Sequence, residues 1–152
     1  MRTFLLLAAA VLVAVPASAQ TPSETATYAE ISLAAGFTPD PYNIDITAGG
    51  TRSVSVTSEC DYGVVANAPD LEVNFTESAG GPLYIYAVSS EDTTILVNMP
   101  DGSWVCDDDS YGDGDPIVEI YDADMGIYDI WVGTYNDDTA SASLYVSEID
   151  PR

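Results

Sequence analysis

Asp107, Asp108, Asp109, Asp113 and Asp115 fall within nine consecutive residues, with Gly112 and Gly114 between them. Carboxylates packed this closely repel one another, and a divalent cation relieves that repulsion. Calcium takes about six to eight oxygen ligands from carboxylates and carbonyls, and glycines let the backbone bend round the ion. The run is therefore a candidate calcium loop. It is not an EF-hand: counted from Asp107, Gly112 falls at the sixth place, but Val118 stands at the twelfth, where a bidentate Glu is required. Asp92 and Glu119 are the acids that neighbouring strands could add.

Catalysis finds little support in the same residues. The chain has no histidine and no lysine, so Ser-His-Asp, Cys-His and Ser-Lys arrangements are excluded, as are histidine-rich zinc sites. Carboxylate pairs can act as acid and base, but Asp92-Thr93-Thr94 and Asp101-Gly102-Ser103 only faintly resemble an Asp-Thr-Gly signature. No enzyme is expected.

Charge points the same way. Lys and Arg total 3 against 25 Asp and Glu, a formal net charge of −22. Nucleic acid and anionic membranes require clustered cations and are not expected partners. Such a surface suits cations, a cationic protein, or solubility in a salty medium.

The elements that would position these residues begin after an export signal. Arg2 precedes an unbroken apolar run from Phe4 to Val15, followed by Ala17-Ser18-Ala19. That is the pattern of a signal peptide over residues 1–19, and the run falls short of the roughly 20 residues that span a bilayer. Membrane insertion is not expected, and the protein is read as secreted or periplasmic. In an oxidising compartment Cys60 and Cys106 are expected to form a disulfide. Residues 20–27 carry no apolar pattern and read as a flexible leader.

Residues 28–150 read as one domain. Period-two alternation marks half-buried strands at Ala29-Ile31-Leu33, Tyr42-Ile44-Ile46, Val54-Val56 and Leu71-Val73-Phe75. Leu83 to Val88 is apolar on both faces and belongs near the middle of a sheet. Thr94 to Met99, Ile117 to Tyr121, Tyr128 to Tyr135 and Ala142 to Val146 complete the set. Turn signals separate them, among them Ala48-Gly49-Gly50, Ala68-Pro69-Asp70, Gly80-Gly81-Pro82 and Pro100-Asp101-Gly102. Closely spaced strands without helical periodicity indicate an all-β, antiparallel sandwich.

In the strand from Tyr128 to Tyr135, a core face made of Tyr128, Ile130 and Val132 leaves Trp131 and Tyr135 pointing outward. Tyr145 and Tyr121 oppose their apolar neighbours in the same way. Exposed aromatics stack on sugars or anchor partners, so Trp131, Tyr135, Tyr145 and Tyr121 form a candidate ligand face. Cross-strand pairing is the other use of aromatics in strands. Trp104, beside Cys106, reads as core.

Several motifs carry a family resemblance. Ala68-Pro69-Asp70-Leu71-Glu72-Val73-Asn74-Phe75 is followed by an apolar strand, then Glu91-Asp92-Thr93-Thr94-Ile95-Leu96-Val97 and Pro100-Asp101-Gly102. The Asp run and Gly126-Ile127-Tyr128-Asp129-Ile130-Trp131-Val132-Gly133 complete the series. Over roughly residues 68–148 this resembles a bacterial pre-peptidase C-terminal domain in a small exported protein. The resemblance implies a jelly-roll-like β-sandwich, an accessory of secreted peptidases that sometimes binds calcium or an extracellular polysaccharide or other polymer. The functional expectation is an exported, non-catalytic binding or accessory protein, stabilised by calcium. The alternative is a structural or envelope-protective acidic protein with no specific ligand.

Overall fold

The computed structural model describes residues 20–136 and 138–152, so the signal-peptide reading of 1–19 lies outside the described residues. The strands are β1 (Ala29–Ala34), β2 (Tyr42–Ala48), β3 (Arg52–Ser53), β4 (Val64–Val65), β5 (Leu71–Glu77), β6 (Leu83–Ser89), β7 (Thr93–Asn98), β8 (Trp104–Asp107), β9 (Ile117–Ile120), β10 (Gly126–Thr134) and β11 (Ala140–Ser147). Among the described residues there is no helix. A four-stranded sheet runs β2-β11-β6-β9, and a seven-stranded sheet runs β1-β5-β10-β4-β3 with β7 and β8 added along the other edge of β10. The two pack as a sandwich.

Alternation builds the core as expected. Leu71, Val73, Phe75, Ile95, Val97, Tyr128, Ile130 and Val132 from the larger sheet meet Ile46, Leu83, Ile85, Ala87, Val118, Leu144 and Val146 from the smaller one. These side chains sit at every second position of their strands, so one face of each strand is removed from water, at about 25 cal/mol per Å² of apolar area buried. The doubly apolar run Leu83 to Val88 is indeed central, with β11 on one side of β6 and β9 on the other.

Three expectations change. β1 pairs β5 in parallel, with Ile31 opposite Val73, so the sandwich is not wholly antiparallel. The chain leaves β1 for the smaller sheet at β2 before returning, and a connection that long lets two strands of one sheet run the same way. Residues 20–27 are tied down: Thr21 N–H donates to Asn67 O (3.2 Å), Thr27 N–H to Pro69 O (2.7 Å), and Asn67 Nδ2 to Glu24 Oε1 (2.7 Å). Ala26 is buried. Backbone pairing with the Asn67–Pro69 segment orders this stretch without any apolar periodicity. Finally, Val54-Val56 is not a ladder strand. It belongs to a hairpin in which Val54 N–H donates to Gly63 O and Val56 N–H to Cys60 O.

That hairpin lies across the outer face of the larger sheet. Val54, Cys60 and Val65 pack on Leu96 and Trp131, with Val56, Trp104 and Cys106 around them. The Cys60–Cys106 disulfide ties the hairpin to β8. Its base sits so close that a Cβ on Gly133 would lie 2.8 Å from Val64 O, and one on Gly63 would lie 2.6 Å from Thr94 Oγ1. β10 is therefore covered on both faces.

Asp70 closes a gap in the ladder of β10. One edge of β10 pairs with β5 over Gly126–Ile130 and with β4 at Thr134. Between these stretches Asp70 N–H donates to Ile130 O (2.8 Å) and Asp70 Oδ2 accepts from Val132 N–H (2.8 Å), while Gly49 N–H donates to Val132 O (2.9 Å). Asp70 is 2% exposed. Burial pushes its carboxyl up to about 7, against the opposing pull of the Val132 N–H.

Two predictions follow from these contacts. Replacing both cysteines by serine removes a cross-link between residues 46 apart in sequence, which on the chain-entropy model costs about 4 kcal/mol. Denaturant melting is expected to show that loss together with red-shifted tryptophan emission as the hairpin lifts from Trp131; unchanged melting and emission would contradict it. For Asp70, a carboxyl raised in the folded state binds more protons there than in the unfolded chain between pH 4 and 7. Its contribution is thus fully present below about pH 4 and lost as pH rises through about 7. Asp70→Asn keeps an acceptor for Val132 and is expected to flatten the fall in stability over that window; an identical pH profile in the variant would refute this.

Candidate functional site

The Asp run leaves β8 and reaches β9 through a loop closed by its own backbone. Tyr111 N–H donates to Asp115 O (3.1 Å) and Asp115 N–H to Gly112 O (3.0 Å). Gly112 and Gly114 take φ of 117° and 82°, and Asp113 takes 57°. These are the left-handed conformations that glycine supplies without strain and Asp tolerates.

The carboxylates divide into two kinds. Asp107 Oδ2 accepts from Ser110 N–H and Ile117 N–H, each 2.9 Å, and its Oδ1 accepts from Ser110 Oγ (2.6 Å). Asp115 Oδ1 accepts from Ser89 N–H (2.9 Å). Both organise the loop. Asp109 and Asp113 are exposed, with Asp108 half-buried. Burial raises the Asp108 carboxyl above its ordinary value, and Asp109 and Asp107 add repulsion in the same direction.

Neighbouring loops bring further acids to the same end of the sandwich. Thr93 N–H donates to Gly114 O (3.0 Å) and Tyr135 N–H to Asp92 O (3.1 Å), which join the β6–β7 turn to the Asp loop and to the end of β10. Thr134 Oγ1 donates toward Asn136 O and Asp138 O, each 2.6 Å, and shapes the β10–β11 loop. A depression of about 520 Å³ opens there, lined by Glu91, Asp92, Asn136, Asp138, Thr134 and Thr139. Among the described residues ion pairs join Arg152 to Glu119 (2.7 Å) and Asp150 (3.0 Å), and none reaches this acidic pole.

Asp92 thus joins the Asp run, whereas Glu119 belongs with Arg152 and Tyr121. Asp107 and Asp115 hold backbone N–H groups, and among the described residues no three His, Cys, Asp or Glu side chains converge to hold a metal ion.

The four candidate aromatics do not share a face. Trp131 is fully buried beneath the hairpin, contrary to the expectation that it looks outward, because the outer face of β10 is covered by Val54, Cys60 and Val65. Tyr135 is 53% exposed at the acidic pole. Tyr121 is exposed beyond β9, its Oη donating to Glu119 (2.6 Å). Tyr145 stacks on Tyr86 with centroids 4.7 Å apart, and Tyr111 meets the far side of Tyr86 at 5.1 Å. Tyr84, Tyr86 and Tyr111 were not singled out in the sequence, although Leu83-Tyr84-Ile85-Tyr86-Ala87 places both strand tyrosines opposite the core face. Burial, with Tyr111 and Tyr145 beside it, pushes Tyr86 up to about 12. These rings serve as a cross-strand cluster on the outer face of the smaller sheet.

Alanine substitutions separate the two kinds of carboxylate. Asp107→Ala removes an acceptor shared by two backbone N–H groups and a hydroxyl and is expected to cost about 2 kcal/mol. Asp109→Ala, at an exposed position, is expected to stay within about 0.5 kcal/mol of the parent or to stabilise by relieving repulsion. Equal losses in chemical denaturation would show that Asp107 has no special structural part.

No family model matches the chain, and no curated protein matches it. Among solved structures it is similar to the pre-peptidase C-terminal domain of the collagenase from Bacillus anthracis, with a TM-score of 0.49 and 11% identity over 82% of this chain and 100% of that chain. It is also similar to PliG of Aeromonas hydrophila, a periplasmic lysozyme inhibitor of g-type lysozyme, with a TM-score of 0.41 and 14% identity over 78% of this chain and 96% of that one. The first is a domain of the type that the sequence resembles.

Proposed function

We propose that the protein is an exported, non-catalytic binding module whose acidic pole docks a cationic partner protein. The observation that carries this reading is the convergence of the β6–β7, β8–β9 and β10–β11 loops, which set Glu91, Asp92, Asp108, Asp109, Asp113 and Asp138 at one end with no paired arginine among the described residues. Loops at one end of a rigid sandwich are a common place for recognition. A field of one sign there steers a partner of the other sign and raises its association rate. Export is supported by the disulfide, which persists in oxidising compartments. The lack of histidine and lysine supports a non-catalytic role. Tyr135, exposed on the rim, offers an aromatic contact beside the acids.

Binding of a basic protein, cytochrome c, at near-physiological salt tests the reading. The triple variant Asp108→Asn, Asp109→Asn, Asp113→Asn is compared with Glu77→Gln, Asp122→Asn, Asp124→Asn, which removes the same charge from the opposite end. The pole variant is expected to bind about tenfold more weakly and the other less than about twofold. Equal weakening in both would mean that net charge alone acts, as in an acidic coat without a specific ligand.

A further inference from the structure

On the outer face of the larger sheet, away from the loops, the strand registers place several polar residues side by side. Glu30 of β1 stands opposite Glu72 of β5, and Glu72 opposite Asp129 of β10. Asp129 stands opposite Asn98 of β7, and Asn98 opposite Trp104 of β8. One lateral row therefore runs from three acids through an amide to an indole. Neighbouring strands lie about 4.8 Å apart, so the acids form a line rather than a cage, which accords with the lack of a three-ligand metal cluster among the described residues.

Asp129 is the unusual member. It is 5% exposed, and its Oδ1 is buried with no hydrogen-bond partner. A buried acceptor left unmet is costly, and such groups are rare in folded proteins. The nearby amide does not serve it, because Asn98 Nδ2 donates instead to Gly102 O (3.3 Å) and Ser103 O (3.2 Å) in the β7–β8 turn. Glu72 faces it with a second carboxylate and no donor. Glu30 is exposed and Glu72 and Trp104 are half-buried, so the flanks of the row are open while Asp129 forms its buried floor.

We propose that this row receives the guanidinium of an arginine side chain from a partner protein, with Asp129 and Glu72 as acceptors and Trp104 as the adjoining aromatic wall. A guanidinium presents parallel N–H donors in a planar fork that can bridge two carboxylates in line, and its flat face packs against an indole. An ammonium supplies a point charge without that fork. Burial, followed by the charge of Glu72, pushes the Asp129 carboxyl up to about 6, a perturbation that a fixed cation would reverse. The site goes beyond the acidic pole: it lies on a sheet face rather than on loops, and it stands whether or not the pole binds.

Titration with N-acetylarginine amide, followed by tryptophan emission and calorimetry, provides the test, with N-acetylcitrulline amide as the neutral isostere. Saturable binding of the arginine compound is expected, with no response to the citrulline compound. Glu72→Gln and Asp129→Asn are each expected to weaken binding at least about tenfold, whereas the pole triple variant leaves it unchanged. Glu72→Gln alters a half-buried surface residue and keeps the assay meaningful if Asp129→Asn perturbs folding. Equal responses to the two compounds, no saturable response at all, or undiminished binding in Glu72→Gln would overturn the proposal.

Discussion

Every strand that crosses the middle of a sandwich must have its backbone N–H and C=O groups met on both edges, and β10 meets that demand with three partners and one side chain. β7 follows one edge over Asp129–Thr134, while β5 and β4 divide the other. Where β5 ends and β4 has not begun, the Asp70 carboxylate takes the Val132 N–H. A carboxylate placed there is costly to bury, but an unpaired N–H in the same place would also be costly. The arrangement keeps Ile130 and Val132 in register beneath the smaller sheet, and with them most of the larger sheet's contribution to the core.

The larger sheet differs from the smaller one in having two covered faces. Its inner face joins the common core, and its outer face carries a second, smaller apolar cluster under the hairpin that follows β3. The smaller sheet instead presents tyrosines outward, stacked on each other. This asymmetry distributes the charged groups as well. Loops at one end gather acids, while beside the hairpin the outer face of the larger sheet leaves a strip in which polar groups rather than apolar ones fill the row.

Much of this was legible in the sequence because alternation reports burial directly. Leu71-Val73-Phe75, Tyr128-Ile130-Val132 and Leu144-Val146 all face the core as their spacing required. The disulfide followed from two cysteines behind an expected export signal. Other features were hidden because one residue type serves two physical uses. Val54 and Val56 alternate like a strand, yet they form the underside of a cover, and that cover turns Trp131 from an outward-facing ring into a buried one. Asp70 sits in Ala68-Pro69-Asp70, which reads as a turn, and nothing local marks it as a ladder partner for a residue 62 positions away. Asp107 looks like its neighbours Asp108 and Asp109, and only the fold shows that it caps the loop while they face outward. The acidic pole was half visible: the Asp run was plain, but its union with Asp92 and Asp138 depends on loops distant in sequence.

The hairpin over Trp131 has a fixed base and an exposed tip. Gly63 and Gly133 leave no room for larger residues at the base, and Cys60 fixes one arm, while Ser58 and Glu59 at the turn are exposed. Sequence can therefore drift at the tip without disturbing what lies below. A peptide grafted between Thr57 and Cys60 would be displayed on a rigid, covalently fastened platform, so the same contacts that hide a tryptophan also make this small sandwich a ready scaffold for presenting a loop.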